Sequence, residues 1–170
     1  MTAQIDVQQI LETLCEDLAR HLKEREITRP LVIGIRTGGV WLADSISKHL
    51  SLAEPYGELD ISFYRDDFQR IGLNPKVKPS KLPVDTEGRD VILVDDVIMS
   101  GRTIRAAMNE IFDYGRPDSI TLVALIDLGA RELPIQPDLV GRTLQLASHQ
   151  RVKLVGPDPL RVEVREKAPQ

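Results

Sequence analysis

Val91-Ile92-Leu93-Val94-Asp95-Asp96-Val97-Ile98-Met99-Ser100-Gly101-Arg102-Thr103 runs from four consecutive apolar residues, through two adjacent carboxylates, into a turn of small and hydroxylated residues. The apolar start, mostly β-branched, predicts a strand covered on both faces, as in a parallel sheet. Beyond the turn Ile104, Ala107, Met108 and Ile111 recur at helical spacing, and Gly115 and Pro117 close the helix. Strand, polar turn and helix make the first half of a βαβ unit.

The same rhythm extends outward in both directions. Upstream, Leu31-Val32-Ile33-Gly34-Ile35 predicts another buried strand, Gly38-Gly39 ends it, and Leu42, Ala43, Ile46 and Leu50 carry a helix. Before it, Val7, Ile10, Leu11, Leu14, Leu18 and Leu22 mark one face of a first helix, with Asp6 as its cap and Gln9 three residues on. Leu59, Ile61 and Phe63 alternate with Asp60, Ser62 and Tyr64, which predicts a strand with one wetter face. Between Arg65 and Arg89 neither apolar period survives, and Asn74-Pro75, Lys78-Pro79, Leu82-Pro83 and Glu87-Gly88 interrupt the chain, so a lid or binding loop is expected there. Downstream, Ile120 to Ile126 is a further buried strand. From Arg131 short extended pieces such as Arg161-Val162-Glu163-Val164 alternate with Pro134, Pro137, Pro157 and Pro159, which predicts edge strands or an added lobe. The fold class is therefore α/β: a central, mostly parallel sheet flanked by helices, with residues 1–170 read as a single domain.

Composition narrows the function. The 170 residues are 42% hydrophobic and carry 26 acidic against 22 basic side chains, a net charge of −4 that argues against a dedicated nucleic-acid binder. The longest apolar run, Leu122 to Ile126, is far short of the ~20 residues of a membrane span. Gln4, Asp6, Gln8 and Gln9 interrupt any secretory leader, and one cysteine makes no internal disulfide, so the cytoplasm is the expected compartment. Cys15 sits beside the apolar face of the first helix as a packing residue, and Trp41 and Met108 fall at core positions of their helices. His21, His49 and His149 are scattered and indicate no transition-metal site.

In parallel α/β sheets ligands bind beyond the carboxyl ends of the strands, so the turns after Ile35, Val94 and Ile126 are the places to search. After Val94, the amides and hydroxyls around Ser100, Gly101, Arg102 and Thr103 suit a phosphate at the positive end of a helix. Asp95 and Asp96 would repel that phosphate; sugar hydroxyls or a hydrated Mg²⁺ are their natural partners. A phosphate nest beside a diol-binding acid pair is a ribose 5-phosphate site. After Ile35, Arg36-Thr37-Gly38-Gly39 offers a guanidinium, a hydroxyl and close backbone approach, a chemistry suited to pyrophosphate.

All 13 positions from Val91 to Thr103 resemble the phosphoribosyl pyrophosphate (PRPP) signature of type I phosphoribosyltransferases. The resemblance implies that Val97, Ile98, Met99, Ser100, Gly101, Arg102 and Thr103 bind phosphate, and that Arg36, Thr37, Gly38 and Gly39 bind pyrophosphate. It also implies catalytic roles for Asp95, Asp96 and Arg65, and a closing loop at about 65–83 whose Arg65, Arg70, Lys76, Lys78 and Lys81 meet the pyrophosphate. Mg²⁺ would arrive with PRPP, touching at most Asp95 and Asp96, with no dedicated protein ligands. Within that superfamily, Leu128 to Asp138, with Arg131-Glu132-Leu133-Pro134-Ile135, Tyr64-Arg65-Asp66-Asp67 and Gly115-Arg116-Pro117-Asp118-Ser119, is similar to the PyrR family, and the similarity runs from about Ile5 to Arg165. That family combines uracil phosphoribosyltransferase activity with regulation of pyrimidine biosynthesis genes. It implies a hood at about 128–140, completed by C-terminal strands, that shapes a uracil pocket with Arg131, Leu133, Pro134 and Ile135. UMP and UTP would be ligands and a homodimer or higher homo-oligomer the assembly.

RNA is where resemblance and charge disagree. RNA-binding relatives use a basic dimer face that includes the first helix, but here Glu12, Glu16, Asp17, Glu24 and Glu26 outnumber Arg20, Lys23 and Arg25. A helix so charged loses the counterion release that drives nucleic-acid binding, so RNA binding is expected to be weak.

Overall fold

The computed structural model describes residues 5–61 and 81–167. Most of the expected closing loop, including Arg65, Arg70, Lys76 and Lys78, and the strand continuation through Phe63 lie outside the described residues.

Helix α1 (Val7–Glu24) begins where expected: Asp6 is its N-cap and accepts the Gln9 amide at 3.1 Å. Then follow β1 (Pro30–Ile35), α2 (Gly38–His49), the short β2 (Gly57–Leu59), β3 (Asp90–Ile98), α3 (Arg102–Asp113), β4 (Ser119–Asp127) and β5 (Leu139–Thr143). The chain ends in a hairpin of β6 (Gln150–Val155) and β7 (Arg161–Glu166). Strands β2-β1-β3-β4-β5 form one sheet in that order, with every pairing parallel.

Strand periodicity sends alternate side chains to opposite faces, and each face has its own core. Val32, Ile92, Val94, Val123 and Leu125 pack with Leu11, Leu14 and Leu18 of α1 and with Leu42 and Ile46 of α2. Leu31, Ile33, Leu93, Leu122 and Ala124 pack on the other side with Ile104, Ala107 and Ile111 of α3. Cys15 is buried with the first group, and burial pushes its thiol up to about 11, as suits a packing residue. Leu154 of β6 and Leu160 join that same core, so the hairpin is anchored on the α1–α2 side of the sheet.

The structure corrects three local expectations. Gly38-Gly39 does not form a free turn; the two glycines are the first residues of α2. The second strand stops at Leu59, and Ile61, although outside a strand, is buried in the α3-side core. The irregular stretch before β3 is pinned at its described end: Lys81 forms an antiparallel bridge with Glu58, and the buried Thr86 hydroxyl donates to the Ile111 carbonyl at 2.9 Å. Backbone and hydroxyl bonds therefore hold a segment that lacks any apolar period. Among the described residues no helix is long and apolar enough to cross a membrane.

Candidate active site

Sequence pattern alone ends the third strand at Val94; in the structure β3 runs on through both carboxylates to Ile98. The reason is asymmetric pairing. On the β1 side the ladder ends at Gly34↔Val94, whereas on the β4 side it continues through Asp95↔Ala124, Val97↔Ile126 and Ile98↔Asp127. The acids thus project past the end of β1 while one edge of their strand is still held.

Because neighbours on a strand face opposite ways, the two carboxylates serve different sides. Asp95, only 5% exposed, lines a cavity of about 360 Å³ together with Ser100, Gly101 and Thr103. Asp96 lies over the start of α2, against Gly38, where any β-carbon would collide with its carboxylate. Each acid is oriented by the backbone: the Asp96 amide donates to Asp95 Oδ1 at 2.9 Å, and the Val97 amide to Asp96 Oδ1 at 2.8 Å. The phosphate turn and the Arg36–Gly39 turn therefore meet at this acid pair.

The turn expected to take a phosphate has a backbone that its small residues allow. Gly101 occupies the N-cap of α3 with φ of 93°, a left-handed conformation that glycine adopts without strain, and the Ser100 hydroxyl accepts the Arg102 amide at 3.2 Å. Thr103 and the first-turn amides of α3 follow at the helix's positive end. Val97 is half-buried, Ile98 is buried in the α3-side core, and Met99 stands 54% exposed at the rim. In the other turn Arg36 is held back by Glu58 at 3.3 Å and Asp60 at 3.5 Å, Thr37 is exposed, and the Arg36–Thr37 peptide is cis.

The segment expected to form the hood is tied to the end of β3 and β4 through Arg131. Its Nε donates to the Ile135 carbonyl at 2.7 Å, Nη1 to the Met99 carbonyl at 2.9 Å, and Nη2 to Asp127 Oδ2 at 2.7 Å. The Glu132 and Leu133 amides donate to the Ser100 carbonyl at 2.9 and 3.1 Å, and the β-carbons of Ile135 and Leu133 approach Gly101. Pro134 lies between those two apolar residues in the same segment. The Arg131 guanidinium beside Asp127 holds its carboxyl below the usual carboxylate range, helped by the Gly129 amide and opposed by burial. A group depressed in the folded state stabilises above its unfolded pKa, near 4, and loses that contribution as the pH falls through its folded value. Asp127→Asn should therefore cost about 2 kcal/mol at pH 7 and progressively less below about pH 4. Urea unfolding at pH 7 and pH 3 checks this, and a pH-independent difference would contradict it.

The hairpin supplies what the sequence reading missed. Gln150, Arg151 and Val152 of β6, with Leu146 and Lys167 flanking the hairpin, line the same cavity as Ser100, Gly101 and Thr103. The alternation Arg151-Val152-Lys153-Leu154, answered by Val162-Glu163-Val164-Arg165 after Pro157 and Pro159, marks a hairpin, but nothing in it says over which turn the hairpin lies.

Among the described residues no group of three or more His, Cys, Asp or Glu side chains could hold a metal by itself. Two carboxylates fit a hard cation that brings most of its oxygen ligands from water and a phosphorylated substrate.

The sequence profile of the phosphoribosyl transferase domain family matches residues 1–158. The chain is 60% identical over 155 residues to the "Bifunctional protein PyrR" of Pseudomonas paraeruginosa strain DSM 24068 / PA7, covering 91% of both chains. It is 58% identical over 160 residues to the protein of that name from Pseudomonas entomophila strain L48, covering 94% of this chain and 93% of that one. In structure it is similar to a hypoxanthine-guanine phosphoribosyltransferase of Bacillus anthracis, with a TM-score of 0.65 at 20% identity over 85% of this chain and 83% of that chain, a likeness of fold. With the domain profile matching residues 1–158 and that identity along nearly its whole length, the chain belongs to the PyrR family of phosphoribosyltransferases.

Proposed function

We infer that the protein transfers the ribosyl 5-phosphate of PRPP to uracil, giving UMP and pyrophosphate. The single observation that carries the reading is the cavity lined by Asp95, Ser100, Gly101, Thr103 and Leu128, which sets a carboxylate against the small-residue turn at the start of α3 in one space, a pairing suited to a ribose beside its phosphate. The 5-phosphate sits on the turn at the start of α3. Asp95 and Asp96 hold the ribose hydroxyls and favour the positive charge that develops on the sugar as the C1–oxygen bond to pyrophosphate breaks. Arg36, Thr37 and the backbone at Gly38-Gly39 receive the leaving pyrophosphate, which takes the electron pair. Uracil, placed by Leu133, Pro134 and Ile135, forms the new bond to C1 through N1, and its N1 proton passes to the released pyrophosphate or to water. Mg²⁺, when bound with PRPP, neutralises pyrophosphate charge, and Asp95 and Asp96 are the protein oxygens that would hold it. Catalysis on this account is positioning and charge stabilisation.

A base panel tests the assignment. With PRPP and Mg²⁺, uracil should be converted with a kcat/KM at least ~100-fold above hypoxanthine and orotate, the discrimination expected when a hydrogen-bonding site meets an ill-fitting base. Comparable conversion of hypoxanthine would place the protein among purine-using enzymes.

The protein also acts as a pyrimidine-nucleotide-responsive regulator, and a second observation favours a nucleic-acid target. The hairpin register Arg151↔Arg165, Lys153↔Glu163 and Val155↔Arg161 puts four cations on one face against a single acid. Glu163 already engages Arg161 and Arg165, so Arg151 and Lys153 remain to neutralise phosphates, too few for tight binding. Affinity for a pyrimidine-operon leader should be weaker than micromolar at ~0.15 M salt, with a salt slope that falls by about 2 in the Arg151→Gln/Lys153→Gln variant. Nanomolar binding strengthened by UMP would show a larger surface, built across copies of the chain.

A further inference from the structure

We propose that Arg131 is a positioning residue that locks the uracil hood to the phosphate turn, so that one guanidinium sets the spacing between the two halves of the nucleotide site. The proposal rests on the uracil phosphoribosyltransferase reading and goes beyond it: it removes Arg131 from the surface that meets the base.

A guanidinium has five N–H donors in a rigid fork. Four of them are directed at protein acceptors from three separate pieces of chain: the Met99 carbonyl before Ser100, the Ile135 carbonyl in the hood with the Gln136 side chain beside it at 3.4 Å, and the Asp127 carboxylate at the end of β4. The side chain is 18% exposed and Asp127 8%, so this is a part-buried joint rather than a surface pair. Asp127 is itself fixed, because the Gly129 amide donates to Oδ1 at 2.8 Å and β4 pairs with β3 at Ile98↔Asp127. The Glu132 and Leu133 amides, which reach the Ser100 carbonyl, stand next to Arg131 in sequence. Hood and phosphate turn thus share no covalent neighbourhood, yet meet across a hydrogen-bonded joint whose centre is Arg131.

The amides at the start of α3 are set locally, by the left-handed Gly101 and by the Ser100 hydroxyl that accepts the Arg102 amide, whereas Arg131 reaches this turn only through the Met99 carbonyl. A ligand that occupies only the phosphate and ribose subsites is then indifferent to the joint. One that spans ribose phosphate and base depends on the hood being held at the right distance, much as a bivalent ligand depends on the geometry between its two sites.

The test compares wild type with Arg131→Gln and Arg131→Lys; the lysine keeps a charge opposite Asp127 but cannot reach three acceptors at once. Calorimetry with ribose 5-phosphate and with UMP is combined with hydrogen exchange across residues 128–138. Ribose 5-phosphate affinity should stay within ~3-fold in both variants, while UMP affinity falls at least ~10-fold. Exchange at the Glu132 and Leu133 amides should accelerate in both variants, and saturating UMP should slow it again. Loss of UMP affinity with exchange unchanged would mean that Arg131 touches the base and would overturn the proposal. Unchanged UMP affinity, or equal loss for the two ligands, would overturn it as well. Exchange and ribose 5-phosphate binding are read without turnover, so a failure of the uracil assignment in the base panel would show separately.

Discussion

Asp95→Asn and Asp96→Asn should each lower UMP formation at least ~100-fold, a loss of roughly 3 kcal/mol of transition-state stabilisation, with little change in unfolding temperature. An asparagine oxygen still accepts the bonds that orient each side chain, from the Asp96 amide to residue 95 and from the Val97 amide to residue 96, so the local fold is retained. What disappears is negative charge beside the reacting sugar. The two variants are also expected to differ. Asp95 faces the cavity with the phosphate turn, and Asp96 faces the start of α2, so Asp96→Asn should raise the KM for PRPP more and Asp95→Asn should act more on kcat. Steady-state kinetics with circular dichroism melts measures both, and near wild-type rates in both variants would remove the acid pair from the mechanism.

Gly38→Ala should come close to the same loss without touching a charged residue. A β-carbon at position 38 would collide with the Asp96 carboxylate and press on its β-carbon; the carboxylate can swing aside, and the β-carbon at 2.9 Å has only to give by a few tenths of an ångström, so the chain can still fold with Asp96 displaced. A misplacement of about 1 Å at a positioned group costs on the order of 100-fold in rate. Gly39→Ala is the contrasting control. Its β-carbon would stand 2.5 Å from the Val94 carbonyl oxygen, a backbone atom of the central strand that cannot step aside. That substitution should destabilise the protein by about 1–3 kcal/mol or more through overpacking. Rates and melting temperatures of the pair separate the two mechanisms. Equal losses of stability in Gly38→Ala and Gly39→Ala would show that position 38 matters only for packing.

Much of this was written locally in the chain. The β3–α3 unit was legible because a branched apolar run, two acids and a Ser-Gly-Arg-Thr turn each have one economical placement, and Asp6 caps α1 for the same kind of reason. What escaped the sequence depends on partners distant along the chain. The strand extends through Asp95 and Asp96 because β4, not the local residues, continues to pair with it. Gly38 and Gly39 read as a turn, yet they open a helix so close to β3 that no side chain fits. The family resemblance implies Arg131 at the uracil pocket, but its bonds to Met99, Asp127 and Ile135 join acceptors that only the fold brings together, so no local pattern announces them. The hairpin's place over the cavity is likewise tertiary, fixed by Leu154 and Leu160 in the core behind it.

The central claim is that one site, at the carboxyl end of β3, holds phosphate, ribose and base together. A crystal structure with UMP bound tests it most directly. The account predicts the 5′-phosphate within hydrogen-bond reach, about 2.7–3.2 Å, of the amides at the start of α3, with ribose hydroxyls on the Asp95 and Asp96 carboxylates and the uracil ring beneath the hood at Leu133–Ile135. UMP seated with its phosphate on the hairpin cations and its ribose away from the acid pair would contradict it.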